Sequence, residues 1–561
     1  MEVAMEQKWA FKPLEVWQTI KENWVFLAVM SIVITLIYLN SLNGDFVSDD
    51  YATILHNPDI ATWKYAFTSG GTTYFIHAMI AKIFGVFPLP YHLFNTVLYI
   101  ATCWLAFVFI DNLFGKKVAM VTMIIFAVHP IHVEAVSWIS GKGYLIIAFY
   151  TFVSMLALIK YSETKRWLYL LVAIGSFILN FLNDKPRPFS LFLIIALYLL
   201  VRKVDLKNNR IFKMWPYFIG LAIVGVILAW PYIIARIGVV NGGYNASESI
   251  FYNPFFQYPT GVSKYLQMLW FPTDLTLYHT MYTFPVWLNW AILLTYIVAT
   301  IYFFFKNRPY FFALAFIMAG VLPSIMPVKV SWLVAERYMF LGSLGWCLFV
   351  GLILADIGRR YKLLMPILLG VVVAYSSVRV VMRNSDWQTN HKLWVNTCQV
   401  SPNSHNAWNN IGDDYDKLGQ YENSIKGFTQ STVVKPNYAD AFHNRANIFY
   451  KIGRLDLARD SYNTALFYSP ALYQTYLSLV QIDLTEKKLD LALEHAQAAL
   501  KIQPNNPQAG YVLAIVLSQS GQNDKAKLLL EEILRMYPGY TLAEDALKQM
   551  KLFESGSGNS L

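Results

Sequence analysis

The chain has 561 residues, of which 56% are hydrophobic and only 14% are charged, with a formal net charge of +10. Soluble domains carry about 25% charged residues, so this composition excludes a single soluble globule. The positive charge belongs to residues 1–384, which carry +12, while residues 385–561 carry −2. The excess of basic residues therefore lies in the apolar part of the chain, and no nucleic-acid partner is needed to explain it.

Eleven apolar segments are predicted to cross a bilayer, whose hydrocarbon core takes about 20 helical residues. They are Trp24–Leu42, Tyr91–Phe114, Val118–Ala135, Tyr144–Lys160, Trp167–Leu182, Pro188–Val201, Trp215–Ala235, Pro285–Phe305, Tyr310–Met326, Tyr338–Ala355 and Leu363–Val381. The pieces Tyr74–Phe87 and Val262–Phe271 are shorter, and we predict re-entrant or interfacial helices there. Residues 1–384 are thus predicted to form an all-α, polytopic membrane bundle of about 11 spans.

The distribution of basic residues predicts the orientation of this bundle. With the N-terminus in the cytoplasm, the inner loops hold 18 of the 29 Lys and Arg residues of residues 1–384, as the positive-inside rule requires. An odd number of spans then places residues 385–561 outside the cytoplasm. The same outer face collects four polar clusters, within residues 44–51, 129–134, 184–187 and 336–338.

The first cluster contains the adjacent carboxylates Asp49 and Asp50, directly after the first span. Two neighbouring carboxylates repel each other, which raises the pKa of one of them unless a cation intervenes. A carboxylate with a raised pKa is a usable general base for a hydroxyl nucleophile. The alternative is a helix cap or a solvated turn.

The second cluster contains His129, His132 and Glu134, at the end of the third span. The two imidazoles share a face if the helix continues through Pro130. We predict that this cluster binds a phosphate or sugar hydroxyls. A divalent metal held together with Asp49 or Asp50 and a structural interfacial role are the alternatives.

The other two clusters supply cations on the outer face. Lys185 and Arg187 lie between prolines, and Arg337 follows Glu336 at the start of the tenth span. Charges there are functional candidates, and the planar guanidinium of an arginine suits a phosphate. Surface ion pairs and contacts with lipid headgroups are the alternatives; Arg379 and Arg383 are expected to meet headgroups.

The last third of the chain repeats with a period of 34 residues. Prolines occur at positions 402, 436, 470, 504 and 538, and 34 residues is the tetratricopeptide period. We predict an α-solenoid of four repeats that begin at His405, Ala439, Tyr473 and Pro507, with a capping helix over Thr541–Phe553. Residues 385–404 would form a linker helix, and residues 554–561 a flexible tail or a cloning remnant.

The first helix of each repeat is rich in side-chain amides. An asparagine can hold a peptide backbone through both its donor and its acceptor, whatever the peptide sequence. These side chains are predicted to line an acceptor-binding groove, although ordinary solvated polar residues are the alternative. The amides are Asn406, Asn409, Asn410, Asn444, Asn447, Gln474, Gln481 and Gln508.

Taken together, these segments resemble the GT-C glycosyltransferases, and more specifically the transmembrane and tetratricopeptide-repeat O-mannosyltransferases and their prokaryotic relatives. The resemblance runs through residues 48–50, 90–95, 129–141, 185–186, 336–338, 387–394 and the repeats. It implies a catalytic acid within Asp49 and Asp50, and basic residues such as Lys185 and Arg337 near the donor phosphate. It also implies a polyprenyl-phosphate sugar donor, typically of mannose, and favours a prokaryotic cytoplasmic membrane.

The chain departs from these relatives at two places. An Arg/Lys-Asp pair commonly follows their His-Pro motif, whereas this chain has Lys142 followed by Gly143, and Arg187 stands where smaller or acidic residues are usual. The donor preference and the acceptor site are therefore where we expect this protein to differ.

The expected activity is an inverting sugar transfer from the lipid carrier to Ser or Thr hydroxyls of proteins at the outer membrane face. No metal or other cofactor is required, because the lipid phosphate is a good leaving group, and a divalent cation is the open alternative. The three cysteines predict neither a disulfide framework nor a structural zinc site. The rival functions are transfer to a glycan or lipid, a catalytically silent scaffold or chaperone that acts through its repeats, and a transporter.

Overall fold

The computed structural model describes residues 13–68, 71–202, 210–213, 215–239, 253–325 and 332–554. The structure is 81% helical, and the described residues contain no strand. This confirms the all-α prediction. Most of the predicted tail, residues 555–561, lies outside the described residues. The chain divides into two compact units, Met1–Ser401 and Pro402–Leu561.

The first unit contains eighteen α-helices among its described residues. They are α1 (Val16–Glu22), α2 (Trp24–Ile37), α3 (Trp63–Thr68), α4 (Thr72–Phe84), α5 (Pro88–Phe114), α6 (Lys116–Val128), α7 (Val133–Ser137), α8 (Lys142–Thr164), α9 (Trp167–Asn183), α10 (Ser190–Val201), α11 (Arg210–Lys213), α12 (Trp215–Val239), α13 (Pro254–Trp270), α14 (Val286–Lys306), α15 (Arg308–Val321), α16 (Phe340–Arg360), α17 (Leu364–Asp386) and α18 (Asn390–Val400).

All eleven predicted spans overlap these helices. Five described helical segments are long and apolar enough to cross a membrane, and the number rises to seven if each of two bent pairs is one span. Three shorter apolar helices and α12 account for the other predicted spans, which stay predictions. The described helices α4 and α13 are not among the candidate spans, as expected for the two short pieces.

The helix of the third predicted span does not continue through Pro130. Helix α6 ends at Val128, His129 is extended, and a 3₁₀ turn over Pro130–His132 leads into α7 at an angle of 56°. Proline disfavours the helical conformation of the residue before it, so His129 leaves the helix. The condition under which both histidines would share one helical face is therefore not met.

Helices α15 and α16 pack backbone to backbone. A Cβ added to Gly320 would lie 2.4 Å from the Gly342 nitrogen, and one added to Gly345 would lie 2.5 Å from the Ala313 oxygen. Glycines at a helix interface allow this close approach. The contact positions the 3₁₀ turn Glu336–Met339, which leads directly into α16.

The second unit consists of four helix pairs and a final helix. The pairs are α19 and α20 (His405–Lys417, Tyr421–Val434), α21 and α22 (Ala439–Lys451, Leu455–Tyr468), α23 and α24 (Tyr473–Thr485, Leu489–Ile502) and α25 and α26 (Pro507–Gln519, Asn523–Met536); α27 (Thr541–Glu554) follows. Small residues such as Ala458 and Ala492 are fully buried in this unit. The predicted tetratricopeptide repeats are confirmed.

Candidate functional site

Asp50 is fully buried, and its carboxylate forms hydrogen bonds that connect two segments of the chain. It accepts hydrogen bonds from the Val47 amide at 3.1 Å, from the Ser140 amide at 2.9 Å and from the Ser140 hydroxyl. Burial raises the pKa of Asp50 to about 7, against the opposing effects of these hydrogen bonds and the charge of Lys142. Asp50 therefore connects residues 44–51, called the acidic loop below, to the chain segment before α8.

Asp49 has the opposite environment. Its side chain is exposed, and its carboxylate has no hydrogen bond or ion pair with a described residue. Removal of part of its hydration raises the pKa of Asp49, while the nearby charge of Arg337 lowers it. The expected mutual repulsion of the two carboxylates is not the cause of either raised pKa; desolvation is. Asp49 is thus the member of the pair that a ligand can reach.

Arg337 is held by Glu134 across 203 residues of sequence. Its guanidinium forms an ion pair with one carboxylate oxygen of Glu134, and its backbone amide donates to the other at 2.8 Å. Its Nε donates to the Tyr144 hydroxyl at 3.3 Å. The role of the buried Glu134 in this structure is therefore to orient Arg337.

Arg187 reaches the same place from another loop. It pairs with Asp184, and its Nε donates to the Ser324 hydroxyl at 3.0 Å. Its guanidinium carbon lies 4.5 Å and 5.0 Å from the ring centres of Tyr338 and Tyr144.

The guanidinium carbon of Arg337 lies 5.0 Å and 5.8 Å from the rings of the same two tyrosines. Two guanidinium groups thus meet on one pair of aromatic rings, an arrangement that cation–π attraction stabilises. In both arginines Nη2 is the terminal nitrogen without a hydrogen bond to a described residue. These two nitrogens are donors left for a ligand.

The two histidines are engaged by protein groups. His129 bonds through Nε2 to the Leu269 carbonyl at 3.1 Å and accepts from the Ile131 amide at 3.2 Å. His132 bonds to the Tyr99 hydroxyl at 2.8 Å and to the Ser343 hydroxyl at 2.7 Å. Because all four ring nitrogens have partners, these contacts favour the structural alternative over binding of a phosphate or a sugar.

Glu336 pairs with Arg383 at 3.0 Å. Arg383 also donates to Asp386 and Asn396, each at 3.0 Å, and is only 1% exposed. The expectation that Arg383 meets lipid headgroups is therefore wrong, because a buried guanidinium needs carboxylate partners in the protein. Arg379 donates to the carbonyls of Pro272 and Thr273, and its contact with headgroups stays a prediction.

Lys185 is not joined to the arginines. Its ammonium lies 5.0 Å from the ring centre of Phe181, and it has no ion pair with a described residue. Among the described residues, no group of three or more His, Cys, Asp or Glu side chains could hold a metal ion. Cys103, Cys347 and Cys398 are all free and buried.

Sequence reasoning overlooked the aromatic residues of this site. Trp138 stacks on Trp387 with ring centres 5.7 Å apart. Arg337 lies over the first ring at 5.4 Å and Arg383 over the second at 5.5 Å. Each of these tryptophans lies close in sequence to a charged motif, and this was the signal that could have identified them. Only the tertiary structure shows that the two rings are in contact.

The predicted amides of the repeat unit are in different environments. Asn444 and Asn447 line a cavity of about 330 Å³ together with Tyr450, Ser478 and Gln481. Asn444 donates to Asn409 at 3.1 Å, whereas Asn447 accepts from the Tyr462 hydroxyl at 2.6 Å.

The first repeat contributes less to this cavity. Asn406 is buried and accepts from the Tyr438 hydroxyl at 3.3 Å, and neither Asn406 nor Asn410 lines the cavity. The charged residues Asp413, Asp416 and Lys451 also line it, and sequence reasoning did not single them out. The cavity therefore combines amides with a charged end.

Comparison with known proteins finds relatives that cover about 70% of the chain. It is 24% identical to the human Protein O-mannosyl-transferase TMTC3 over 476 residues, which cover 71% of this chain and 50% of the relative. It is 23% identical to Protein O-mannosyl-transferase tmtc2 of Xenopus laevis, over 70% of this chain and 60% of the relative. Its homologues are protein O-mannosyl-transferases. The predicted resemblance is confirmed, and the chain spans about half the length of the first of these relatives.

Tetratricopeptide-repeat family profiles match residues 409–473, 444–509 and 483–550, in agreement with the helix pairs of the second unit. Among solved structures, the crystal structure of MamA is 16% identical, covers 28% of this chain and 92% of its own, and has a TM-score of 0.25. A TM-score this low supports no conclusion about this chain.

Proposed function

We propose that this protein is a membrane glycosyltransferase that transfers mannose from a polyprenyl-phosphate carrier to Ser or Thr hydroxyls of proteins at the outer membrane face. The observation that carries the proposal is Asp49, an exposed carboxylate that has no hydrogen bond or ion pair with a described residue and is near enough to Arg337 for that cation to lower its pKa. A base beside a phosphate-binding cation is what this transfer needs. The names of the homologous proteins support the same reaction.

In the proposed reaction Asp49 is the general base. Its carboxylate takes the proton of the acceptor hydroxyl, whose oxygen forms a bond to the anomeric carbon of the sugar. The bond from that carbon to the lipid phosphate oxygen breaks, the electron pair leaves with the phosphate, and the configuration inverts. A raised pKa suits a carboxylate to this task because the Brønsted optimum lies near the working pH.

Arg337 and Arg187 are proposed to bind the phosphate through their Nη2 donors. Negative charge develops on the phosphate as the sugar leaves, and oriented guanidinium donors stabilise that charge. Glu134 and Asp184 hold the two arginines in place, so little reorganisation is needed. We propose that the reaction requires no metal ion, because the phosphate is already a good leaving group.

The repeats are proposed to hold an extended segment of the acceptor protein in the cavity lined by Asn444 and Asn447. Binding there raises the effective concentration of the acceptor hydroxyl at the site in the first unit, which is called the membrane unit below. We further propose that the N-terminus is cytoplasmic and that both the site and the repeats lie outside the cytoplasm.

The deciding experiment is transfer from a panel of polyprenyl-phosphate sugars to Ser/Thr peptides by the purified full chain in lipid nanodiscs. Loss of a general base costs about 10²- to 10⁴-fold in rate, so we expect Asp49→Asn to lose at least about 100-fold. Asp45→Asn is the matched control, because Asp45 is an exposed carboxylate of the same loop. It should retain the rate of the wild-type protein.

Three outcomes would contradict the proposal. Transfer that survives Asp49→Asn would remove Asp49 from the reaction. Transfer abolished by a chelator and restored by a divalent cation would show that a metal is required. No transfer from any donor, with tight peptide binding by the wild-type chain, would favour a scaffold.

A further inference from the structure

The residue before the proposed base has an unusual backbone conformation. Ser48 has φ of +53°, in the left-handed region. Residues with a Cβ rarely adopt this conformation, because the Cβ then lies too close to the following carbonyl oxygen. Such a conformation persists only where the surrounding structure enforces it. The direction in which the chain enters Asp49 therefore depends on contacts that restrain Ser48.

One such contact comes from the C-terminal end of the membrane unit. The Ser48 amide donates to the side-chain oxygen of Asn390 at 2.9 Å, across 342 residues of sequence. Three residues earlier in the loop, the Asp45 amide donates to the Gln388 carbonyl at 2.8 Å. The acidic loop is thus attached at two points to the junction between α17 and α18.

This junction is itself well anchored. The Trp387 ring is buried against Trp138, and Asn384 donates to the carbonyl of Ile37 at the end of α2 at 2.8 Å. The Thr389 hydroxyl accepts from the Lys392 amide at 3.2 Å and so caps α18. Asn390 is the first residue of that helix. Its side chain therefore projects from a fixed backbone toward the acidic loop.

From these contacts we infer that Asn390 is a positioning residue, which holds Ser48 in its left-handed conformation and so presents the Asp49 carboxylate to the acceptor beside Arg337. The inference rests on the proposed function. Without the Asn390 acceptor, Ser48 relaxes to an ordinary negative φ and the Asp49 carboxylate turns away from its position. The segment over residues 387–394, which the proposed chemistry does not itself use, thereby gains a role.

The test compares Asn390→Ala with the double variant Ser48→Gly, Asn390→Ala in the transfer assay. Since small misplacements of a reacting group are costly, we expect Asn390→Ala to lower kcat about tenfold and to change the donor KM less than about twofold. Glycine adopts a positive φ without the Cβ clash. The double variant should therefore recover at least about half of the lost activity, which a purely structural role for Asn390 would not predict.

Asn289→Ala is the matched control, because it removes a buried asparagine that donates to Phe284 and Thr260, away from the acidic loop. Its kcat should stay at the wild-type value. Wild-type protein without transfer would contradict the proposed function itself. Active wild-type protein with an unchanged kcat for Asn390→Ala would overturn the inference alone, as would a loss of activity that Ser48→Gly does not relieve.

Discussion

Asp50 and Lys142 are an acidic and a basic side chain that are both fully buried. The Lys142 ammonium has no hydrogen-bond partner among the described residues and lies 5.1 Å from the Tyr91 ring centre. Its charge acts on Asp50 from one side, while Ser140 and the Val47 amide bind the carboxylate directly. Lys142 also acts electrostatically on the buried His77 and His92. Burial raises the pKa of Asp50, and Ser140 and Lys142, both distant in sequence, oppose this rise together with the nearby Val47 amide.

These neighbours make a pH dependence predictable. An ionised Asp50 holds the acidic loop through its three hydrogen bonds, so activity should fall as the pH drops through the pKa of about 7. Lys142→Met removes the charge that lowers this pKa. The pKa of Asp50 then rises further, and the acidic limb of kcat/KM moves to higher pH.

The measurement is a profile of kcat/KM against pH for the wild-type chain, Lys142→Met and Lys142→Arg. The arginine variant keeps the positive charge and should keep the acidic limb near that of the wild-type protein. An unchanged limb in the methionine variant would show that the charge of Lys142 does not act on the acidic pair.

Helices α15 and α16 show how an element interface supports the site. Their contact depends on Gly320, Gly342 and Gly345, because the backbones approach more closely than any side chain would allow. Helix α16 continues directly from the turn that carries Glu336 and Arg337. A shift between the two helices therefore moves Arg337.

Gly320→Ala should destabilise the membrane unit, since the added methyl group would meet the Gly342 backbone. Overpacking of this kind costs about 1–3 kcal/mol in free energy of unfolding. The matched control is Gly370→Ala on α17, where an added Cβ meets no atom within 4 Å. Thermal unfolding in nanodiscs should show a lower Tm for Gly320→Ala than for the wild-type chain. Gly370→Ala should keep the Tm of the wild-type chain. Equal Tm values would mean that the interface is not rigid.

At the scale of the whole molecule, the chain has two separately compact units, and the proposed function assigns binding of the acceptor protein to the second. We expect the pair Asn444→Ala and Asn447→Ala, made together in the full chain, to raise the KM for a protein acceptor. Both side chains line the cavity of the repeat unit, and lost hydrogen bonds to a peptide backbone weaken binding. The KM for a short peptide should not change, because such a peptide gains little from a second binding site.

Asn423→Ala is the control for this pair, because Asn423 lies on α20 and, among the described residues, its side chain donates to Gln420 alone. It should leave both KM values at their wild-type level. An equal rise in both KM values for the cavity variant would show that the repeats do not deliver the acceptor.

The sequence alone predicted the features of this protein that follow from a long, regular local pattern. Apolar length predicts membrane helices, and a proline every 34 residues predicts where the repeat helices begin, because both signals are local properties of the chain. The charged clusters were found for the same reason: each lies within a few consecutive residues. A break such as the one at His129 was predictable in principle from Pro130, but the longer apolar pattern concealed it.

Only the tertiary structure decided which members of these clusters are free to act. Asp49 and Asp50 are adjacent, yet Ser140 occupies one carboxylate and leaves the other open. Glu134 binds Arg337, and Glu336 binds Arg383. These partners are separated by about 50 to 200 residues, and their meeting depends on how the helices pack. A local sequence pattern does not specify how helices pack against each other. The fold therefore had to show which charged side chains have partners in the protein and which are available to a ligand.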